Sequence, residues 1–193
     1  MITLYGDARS GNCHKARWAL TLAGRPFEWR EVEVTSGLTR SAEFLAINPA
    51  GQVPALVLED GRLLAQSNAI LLHFGEGTPL VPAEAYERAK VYEWLFWEQY
   101  SHEPYVAVRR YLLAFLGKAP EETDPKLFER GSAALARLDA ALQGRDWLVG
   151  ETMTVADMAC VAYTRLAHEG GFDLDRYPAV KAWVARCEAR LPL

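Results

Sequence analysis

The sequence predicts an α/β domain followed by an all-helical domain. Three observations carry this prediction. Strand and helix patterns alternate through roughly the first 75 residues, two short apolar runs flank a hairpin turn at Asp60–Gly61, and every patterned segment after residue 84 is helical. A βαβ unit needs its crossover helix, and a hairpin adds antiparallel strands to the same sheet. A chain of 193 residues has room for two modest domains of this kind.

The predicted elements of the first domain follow from hydrophobic periodicity and from turn residues. Helix Cys13–Leu22 is stopped by Gly24, and the alternating strand Phe27–Val34 is expected near a sheet edge. The other elements are strands Ile2–Tyr5, Val53–Glu59 and Leu63–Ala65, and helices Ser41–Ile47 and Ser67–Phe74. The order βαβαββα is the thioredoxin-like arrangement, which we assign to residues 1–76.

A linker at residues 77–84 is predicted from its glycines and prolines, and a helical domain at 85–193. The predicted helices are Ala83–Leu116 with a kink at Pro104, Pro125–Leu142, Val155–His168, and a last helix from Tyr177–Pro178 to about Arg190, with a loop at Pro120–Asp124. Thr154-Val155-Ala156-Asp157 has the residues of a capping box. The helix that it opens is apolar all round, so it should be central.

Composition narrows the classes of function. The net charge is −4 and no block of basic residues occurs, so neither nucleic acid nor an anionic membrane is an expected partner. No apolar run approaches the roughly 20 residues of a membrane span, and the start resembles no signal peptide, so a cytoplasmic location is expected. Three widely spaced cysteines favour neither a disulfide framework nor a zinc site, and His102 lacks partners at ligand spacing, so no metal is expected.

The segment Arg9–Lys15 joins the first strand to the first helix and contains Ser10-x-x-Cys13. A helix N-terminus stabilises anions, and a hydroxyl or amide there can donate a hydrogen bond to the thiolate of a bound ligand. A single protein thiol cannot form an internal disulfide, so the reacting sulfur should belong to the ligand. The alternative is that Ser10 and Asn12 only cap the helix. Cys13 is expected to face inward and to be inert.

Two further motifs suggest peptide recognition. In Gly51-Gln52-Val53-Pro54, a cis proline would turn the Val53 backbone outward to pair with an extended peptide, whereas the alternative is an ordinary trans turn. In Gln66-Ser67, the serine is a good N-cap at a helix start where a carboxylate can bind, and Gln66 can hold an ammonium group. Simple capping is the alternative there. Each motif alone is weak evidence for a peptide site, but the three together, in this order within one βα framework, are strong evidence.

Over its whole length the chain resembles the bacterial cytosolic glutathione transferases. The resemblance rests on Ser10–Cys13, on Phe44–Leu56 with its Asn-Pro-x-Gly-x-Val-Pro run, on Gln66-Ser67 and on Thr154–Asp157. It implies a homodimer that binds glutathione as a co-substrate. The tyrosine used by the mammalian-type classes is absent, because Tyr5 lies inside the first strand and is expected in the core.

The resemblance also implies roles for individual residues. Ser10 or Asn12 would activate the glutathione thiol, and Val53 and Pro54 would present the backbone to the cysteinyl part. The peptide ends would be held by Gln66 and Ser67 at the γ-glutamyl group and by Gln52 and Arg40 at the glycyl carboxylate. Asp157 would belong to a folding motif.

For a second-substrate pocket we expect Tyr100, Tyr105 and Arg109. Trp94 and Trp97 are expected to pack in the core, and Arg110 to lie on a solvated helix face.

The expected activity is that of a glutathione transferase, in which the thiolate attacks an electrophilic, largely apolar small molecule. Glutathione-dependent disulfide reduction or peroxidase activity needs the same thiolate and is the first alternative. The second alternative is a non-enzymatic interaction module that keeps the fold. The sequence contains no motif that identifies the second substrate.

Overall fold

The computed structural model describes residues 1–193. Residue contacts divide the chain into two compact units, Met1–Glu76 and Gly77–Leu191. Residues 77–84 form turns rather than a helix or strand, and by their contacts they belong to the second unit. Val155 N donates to Leu80 O at 2.9 Å and Val81 is buried, which explains this grouping. None of the helices combines the length and the apolar character that a membrane crossing requires.

The first unit contains a four-stranded sheet. Its strands are β1 (Ile2–Gly6), β2 (Phe27–Glu31), β3 (Ala55–Val57) and β4 (Leu63–Ala65), in the spatial order β2-β1-β3-β4. The β1–β2 pair is parallel, and the β1–β3 and β3–β4 pairs are antiparallel. The predicted thioredoxin-like order and the edge position of β2 are confirmed.

Two strands are shorter than predicted, for local reasons. β2 stops before Val34 because the Val34 N–H donates to the Asp7 side chain at 3.0 Å instead of to a strand. β3 begins only after Pro54, which has no N–H to donate to a ladder. The Val34 N–H therefore bonds outside the sheet, and the chain at Pro54 lacks the N–H group that would extend β3.

Three helices complete the first unit: α1 (Gly11–Leu22), α2 (Ala42–Ile47) and α3 (Ser67–Gly75). The turn after α1 contains Gly24 at φ +63°, a conformation that glycine adopts without strain. The core beneath α2 contains Val32, Phe44 and Ala55, and Tyr5 packs against it. The Tyr5 and Phe44 rings meet edge to face at 6.2 Å between centroids. Tyr5 therefore packs against this core but is itself only half-buried, so its expected core position is met in part.

The second unit is helical, with α4 (Ala85–Trp97), α5 (Glu103–Arg110), α6 (Pro125–Leu142), α7 (Val155–Thr164) and α8 (Pro178–Glu188). The helix predicted over Ala83–Leu116 is present as unbroken helical backbone from Ala85 to Phe115, in which π-helical turns at Glu98–His102 and Tyr111–Phe115 alternate with α4 and α5. Pro104 lies in the first turn of α5, where its missing N–H leaves Tyr100 O without the usual i→i−4 donor. The backbone widens into a π turn just before it.

Helix α7 forms the centre of the second unit, since all ten of its residues are buried. It ends at Thr164 rather than at His168, and Ala167–Gly170 forms a separate 3₁₀ turn. The predicted capping box is confirmed. Asp157 accepts hydrogen bonds from Thr154 N at 2.8 Å, Leu148 N at 2.9 Å and the Trp183 indole at 2.9 Å. Burial nevertheless raises the pKa of the Asp157 carboxyl above its ordinary value, because these bonds only partly offset the loss of water.

Candidate functional site

The first helix begins at a serine whose side chain does not cap it. Ser10 occupies the N-cap position of α1, but its hydroxyl accepts no hydrogen bond from the helix amides. The side chain instead hydrogen-bonds to Cys13. The capping alternative therefore does not account for the Ser10 hydroxyl, which lies at the amino end of a 12-residue helix.

Cys13 faces the interior, as predicted. Its side chain is buried, and a Cβ atom added at Gly6 would lie 3.0 Å from its sulfur. Burial raises the pKa of the Cys13 thiol to about 12, although the hydrogen bond from Ser10 acts in the opposite direction. A thiol with this pKa is almost entirely protonated at neutral pH, so it is a poor nucleophile.

The start of α3 lies beside the start of α1. The Ser67 hydroxyl donates to Asn12 Oδ1 at 2.8 Å, which joins residues from two separate sequence motifs. The prediction that Ser67 caps α3 was wrong: Ser67 is the first helical residue and Gln66 occupies the N-cap position. Ser67 cannot serve as its own helix's cap from within the first turn, and its hydroxyl is used across the two helices.

Gln66 has a backbone conformation that is rare for its type. Its φ of +69° makes it the one residue other than glycine with a positive φ in the chain. With a ψ of 114° the residue lies outside the left-handed helical region, and residues held in such sparsely populated regions cost about 1–3 kcal/mol. Strained residues of this kind cluster at ligand sites, which directs attention to residues 66 and 67.

Lys15 is a residue of this region that the sequence analysis missed. The sequence gives no sign that this charged residue is buried, yet the Lys15 side chain is fully buried. Its Nζ donates to Asn68 Oδ1 at 3.3 Å. Lys15 lies one helical turn after Asn12, and Asn68 follows Ser67. The spacing i, i+3 was the available signal, since it places Asn12 and Lys15 on the same side of α1.

The Val53–Pro54 peptide bond is cis, which was one of the two alternatives left open by the sequence. Neither the N–H nor the C=O of Val53 has a hydrogen-bond partner within the protein. The turn before Val53 is fixed by the buried Asn48, which the sequence did not identify as a site residue. Its Nδ2 donates to Gln52 O at 2.8 Å and its Oδ1 accepts from Ala50 N at 3.2 Å. The turn thus leaves the Val53 backbone free to pair.

Arg40 and Gln52 lie at the same turn. Arg40 Nη1 donates to Ala50 O at 3.4 Å, and a Cβ atom at Gly51 would lie only 2.5 Å from that nitrogen. The Gln52 side chain is exposed. The structure therefore groups Arg40 with the Gly51–Pro54 motif, although the two are separated by ten residues of sequence.

Two of the three expected pocket residues share a cavity in the helical unit. Tyr100 and Tyr105 line a cavity of about 280 Å³, whose other lining residues come from the π turn, α4 and α6: Trp97, Ser101, Arg130, Ala133, Ala134 and Arg137. Arg130 Nη1 donates to the Tyr105 hydroxyl at 2.7 Å. Trp97 is largely buried, as expected of a core residue, but also reaches this wall.

Arg109 does not line that cavity, so this part of the pocket prediction was wrong. Arg109 is buried, and its guanidinium donates to Gly170 O at 2.9 Å and to the Thr123 hydroxyl. Arg110 is not on a solvated face either, since it is buried and pairs with Glu169 at 2.8 Å. Sequence charge alone gave no sign that these two guanidinium groups satisfy buried carbonyl and carboxylate groups.

The structure contains no group of three or more His, Cys, Asp or Glu side chains with the geometry to hold a metal ion. His102 is buried and hydrogen-bonds to the Thr164 hydroxyl at 3.0 Å.

Comparisons with known proteins agree with this architecture. Residues 9–76 match the family model described as "Glutathione S-transferase, N-terminal domain", and residues 91–190 match "Glutathione S-transferase, C-terminal domain". The curated protein "Disulfide-bond oxidoreductase YfcG" from Escherichia coli K12 is 32% identical over 201 residues, covering 98% of this chain and 91% of the relative.

Solved structures show the same similarity. A glutathione S-transferase from Xanthobacter autotrophicus Py2 superposes with a TM-score of 0.94 at 51% identity, covering 98% of this chain and 93% of that one. A glutathione S-transferase from Pseudomonas fluorescens Pf-5 gives a TM-score of 0.92 at 46% identity, with 96% and 93% coverage. Since family models match both halves and the similarity spans nearly the whole length, the chain belongs to the glutathione S-transferase family.

Proposed function

We propose that this protein is a glutathione transferase of the bacterial serine/asparagine type. Glutathione binds in the thioredoxin-like unit, loses its thiol proton, and attacks an electrophilic, largely apolar co-substrate. The observation that carries the proposal is the Ser67–Asn12 hydrogen bond, because it joins the motif for the peptide's amino end to the motif for its thiol. No single motif of the sequence supplies that connection.

Each end of the tripeptide has suitable groups. The γ-glutamyl carboxylate binds at the first turn of α3, at Ser67, and Gln66 accepts from the ammonium group. The cysteinyl backbone pairs with the open N–H and C=O of Val53, as an added strand does in other peptide complexes. Gln52 and the guanidinium of Arg40 face the glycyl carboxylate.

The thiol is activated at the start of α1. Lowering its pKa by one unit takes about 1.4 kcal/mol of preferential thiolate stabilisation. A hydrogen bond to a charged group contributes about 1.5–3 kcal/mol, so a single donor suffices. Ser10 supplies the hydroxyl, with Asn12 as the other donor, and the N-terminus of α1 adds partial positive charge.

Disulfide reduction is the second candidate, and one observation favours it: the relative from E. coli at 32% identity is named a disulfide-bond oxidoreductase. The buried Cys13 restricts how such a reaction runs. Glutathione sulfur, rather than a protein thiol, attacks the substrate disulfide, which gives a mixed disulfide and releases one substrate thiol. A second glutathione then attacks the glutathione sulfur of the mixed disulfide, which releases the second substrate thiol and forms glutathione disulfide. Tyr100, Tyr105 and the 280 Å³ cavity provide the co-substrate surface in either reaction.

Calorimetric titration with reduced glutathione tests the proposal. We expect one saturable site per chain, lost when Ser67→Ala is combined with Gln66→Ala. Turnover with 1-chloro-2,4-dinitrobenzene supports the transferase, and turnover with hydroxyethyl disulfide supports the reductase. Absence of binding at millimolar glutathione would instead favour the interaction module. Sedimentation at micromolar concentration tests the proposed homodimer, which a monomer mass would contradict.

A further inference from the structure

Three consecutive backbone amides in the loop between β1 and α1 are held by acceptors within the protein. Asp7–Ser10 make up this loop. Ala8 N donates to Glu31 Oε1 at 3.0 Å, Arg9 N donates to Asp7 Oδ1 at 2.8 Å, and Ser10 N donates to Asp7 O at 3.0 Å. The N–H groups of Ala8, Arg9 and Ser10 are thus all paired within the protein, although Ala8 and Arg9 are exposed.

Asp7 is the centre of this arrangement. Its side chain is 1% exposed, and its two oxygens also accept from Val34 N at 3.0 Å and from the Arg9 guanidinium at 3.2 and 3.3 Å. One carboxylate therefore ties the loop to itself and to the chain that leaves β2. Burial raises the pKa of the Asp7 carboxyl, but the bonds from Arg9 and Val34 outweigh it and hold the pKa below its ordinary value.

The loop leads directly into the thiol site. Ser10 follows the clamped residues, its carbonyl accepts the first helical bond from His14 N at 3.0 Å, and its hydroxyl contacts Cys13. We propose that Asp7 is a positioning residue, whose carboxylate fixes the loop so that Ser10 presents its hydroxyl to the ligand thiol. This inference rests on the proposed function.

The negative charge of Asp7, taken alone, would oppose formation of a thiolate near Ser10. The negative charges of Asp7 and Glu31 both raise the pKa of the nearby Cys13 thiol. A ligand thiolate beside Ser10 experiences the same repulsion. Charge and position therefore act on the ligand's thiol pKa with opposite signs, which makes the role of Asp7 measurable. Removing the charge lowers that pKa, whereas releasing Ser10 raises it.

Asp7→Asn is the test variant, because it removes the charge and sets an NH₂ group against the Val34 or Arg9 amide. We expect kcat to fall by about tenfold, as small misplacements of a reacting group do. KM for glutathione should stay within about twofold, because Val53, Gln66 and Ser67 lie outside the loop. The thiol pKa of bound glutathione, read from its ultraviolet thiolate absorbance, should rise.

The chain contains a matched control. Asp60 holds Arg62 in the β3–β4 turn by the same pattern, accepting Arg62 N at 3.0 Å and Nε at 2.7 Å, but this turn is exposed. Asp60→Asn should leave kcat, KM and the thiol pKa unchanged. Glu31→Gln removes a charge while an amide oxygen can still accept from Ala8 N, so the thiol pKa should fall slightly.

The outcomes separate this inference from the proposed function. If the wild type binds glutathione and Asp7→Asn lowers the thiol pKa at least as much as the charge-removing control Glu31→Gln does, Asp7 has no positioning role. If the wild type binds no glutathione, the proposed function itself fails. Should Asp7→Asn not fold, Asp7→Ser retains one short acceptor for Arg9 N. The thiol pKa should then rise relative to the wild type, and a fall as large as that in Glu31→Gln would overturn the inference.

Discussion

The Ser67 hydroxyl donates a hydrogen bond to Asn12 Oδ1 at 2.8 Å, and this bond joins the first turns of α1 and α3. Lys15 and Asn68 form a second link between the same helices. Two helix N-termini, each with partial positive charge, are thereby held side by side. A zwitterionic peptide with a carboxylate at one end and a thiol in its middle fits such a pair.

Replacing Ser67 should weaken glutathione binding. In the proposed complex the Ser67 hydroxyl turns its one proton from Asn12 Oδ1 to the γ-glutamyl carboxylate. Ser67→Ala removes this donor, and a bond to a charged group contributes about 1.5–3 kcal/mol. We expect the Kd for glutathione to rise by roughly 10- to 100-fold in calorimetry. Ser36→Ala is the control, because its exposed hydroxyl donates only to Glu33 O. Equal affinities of the two variants would contradict the assignment.

Replacing Ser10 should act on the thiol rather than on affinity. In Ser10→Ala the bound thiolate loses a hydrogen-bond donor, so its pKa should rise by about one unit, equivalent to about 1.4 kcal/mol. Turnover should fall at neutral pH and recover as the pH increases, with little change in glutathione affinity. The pH–rate profile measures this. A profile that superposes on that of the wild type would transfer the role to Asn12 or to the helix terminus.

Cys13 should be dispensable for chemistry. With its thiol pKa raised to about 12 by burial, it should not react with iodoacetamide at neutral pH in the folded protein, whereas it should react in urea. Cys13→Ala should retain activity and lose about 1–2 kcal/mol of stability, the scale of a small buried side chain. Rapid alkylation of the native protein, read by peptide mass spectrometry, would refute the buried state.

Asp157 should be the carboxylate most important for folding of the helical unit. Asp157→Asn turns a donor toward the Thr154 or Leu148 amide, and breaking such a buried network costs about 3–5 kcal/mol. Urea unfolding measures the loss. Asp124→Asn is the control, because asparagine caps a helix as well as aspartate does.

The difference in stability between wild type and Asp157→Asn should also depend on pH. Because burial raises the pKa of Asp157 in the folded state, its stabilising contribution is complete below the unfolded-state value of about 3.9. The contribution declines as the pH rises through the folded-state pKa. The difference between the two proteins should therefore be larger near pH 4 than at neutrality. A difference that grows with pH would mean that the folded-state pKa is lowered.

Much of the fold was predictable because local signals agreed with one another. The sheet order followed from the βαβ rule and the Asp60–Gly61 hairpin, and α6 was predicted with its observed bounds. The Thr154–Asp157 box was equally clear, since it needs only residues within one turn. The π-helical turn after Trp97 was less clear, because the sequence shows Pro104 but not how the preceding turn accommodates it.

Sequence motifs predicted which residues belong to the candidate site, but they did not predict the contacts that these residues make. Ser67 was predicted as a cap because its type favours caps, but Asn12, 55 residues away, takes its hydroxyl. Lys15 and Arg110 looked like surface charges, since a sequence shows no burial, and their partners are distant in the chain. Tyr100 and Tyr105 share a cavity, while Arg109, four residues farther, is directed into the helical core.

The positive φ of Gln66 lowers the stability of the fold, while its side chain serves ligand binding. Glycine at position 66 would adopt φ +69° without the cost that glutamine bears. It would also delete the side chain beside the ligand's ammonium group. A library of variants selected for heat resistance alone should therefore accumulate glycine at position 66 and lose affinity for glutathione. Laboratory selection for thermal stability would therefore favour, at position 66, variants that no longer bind glutathione.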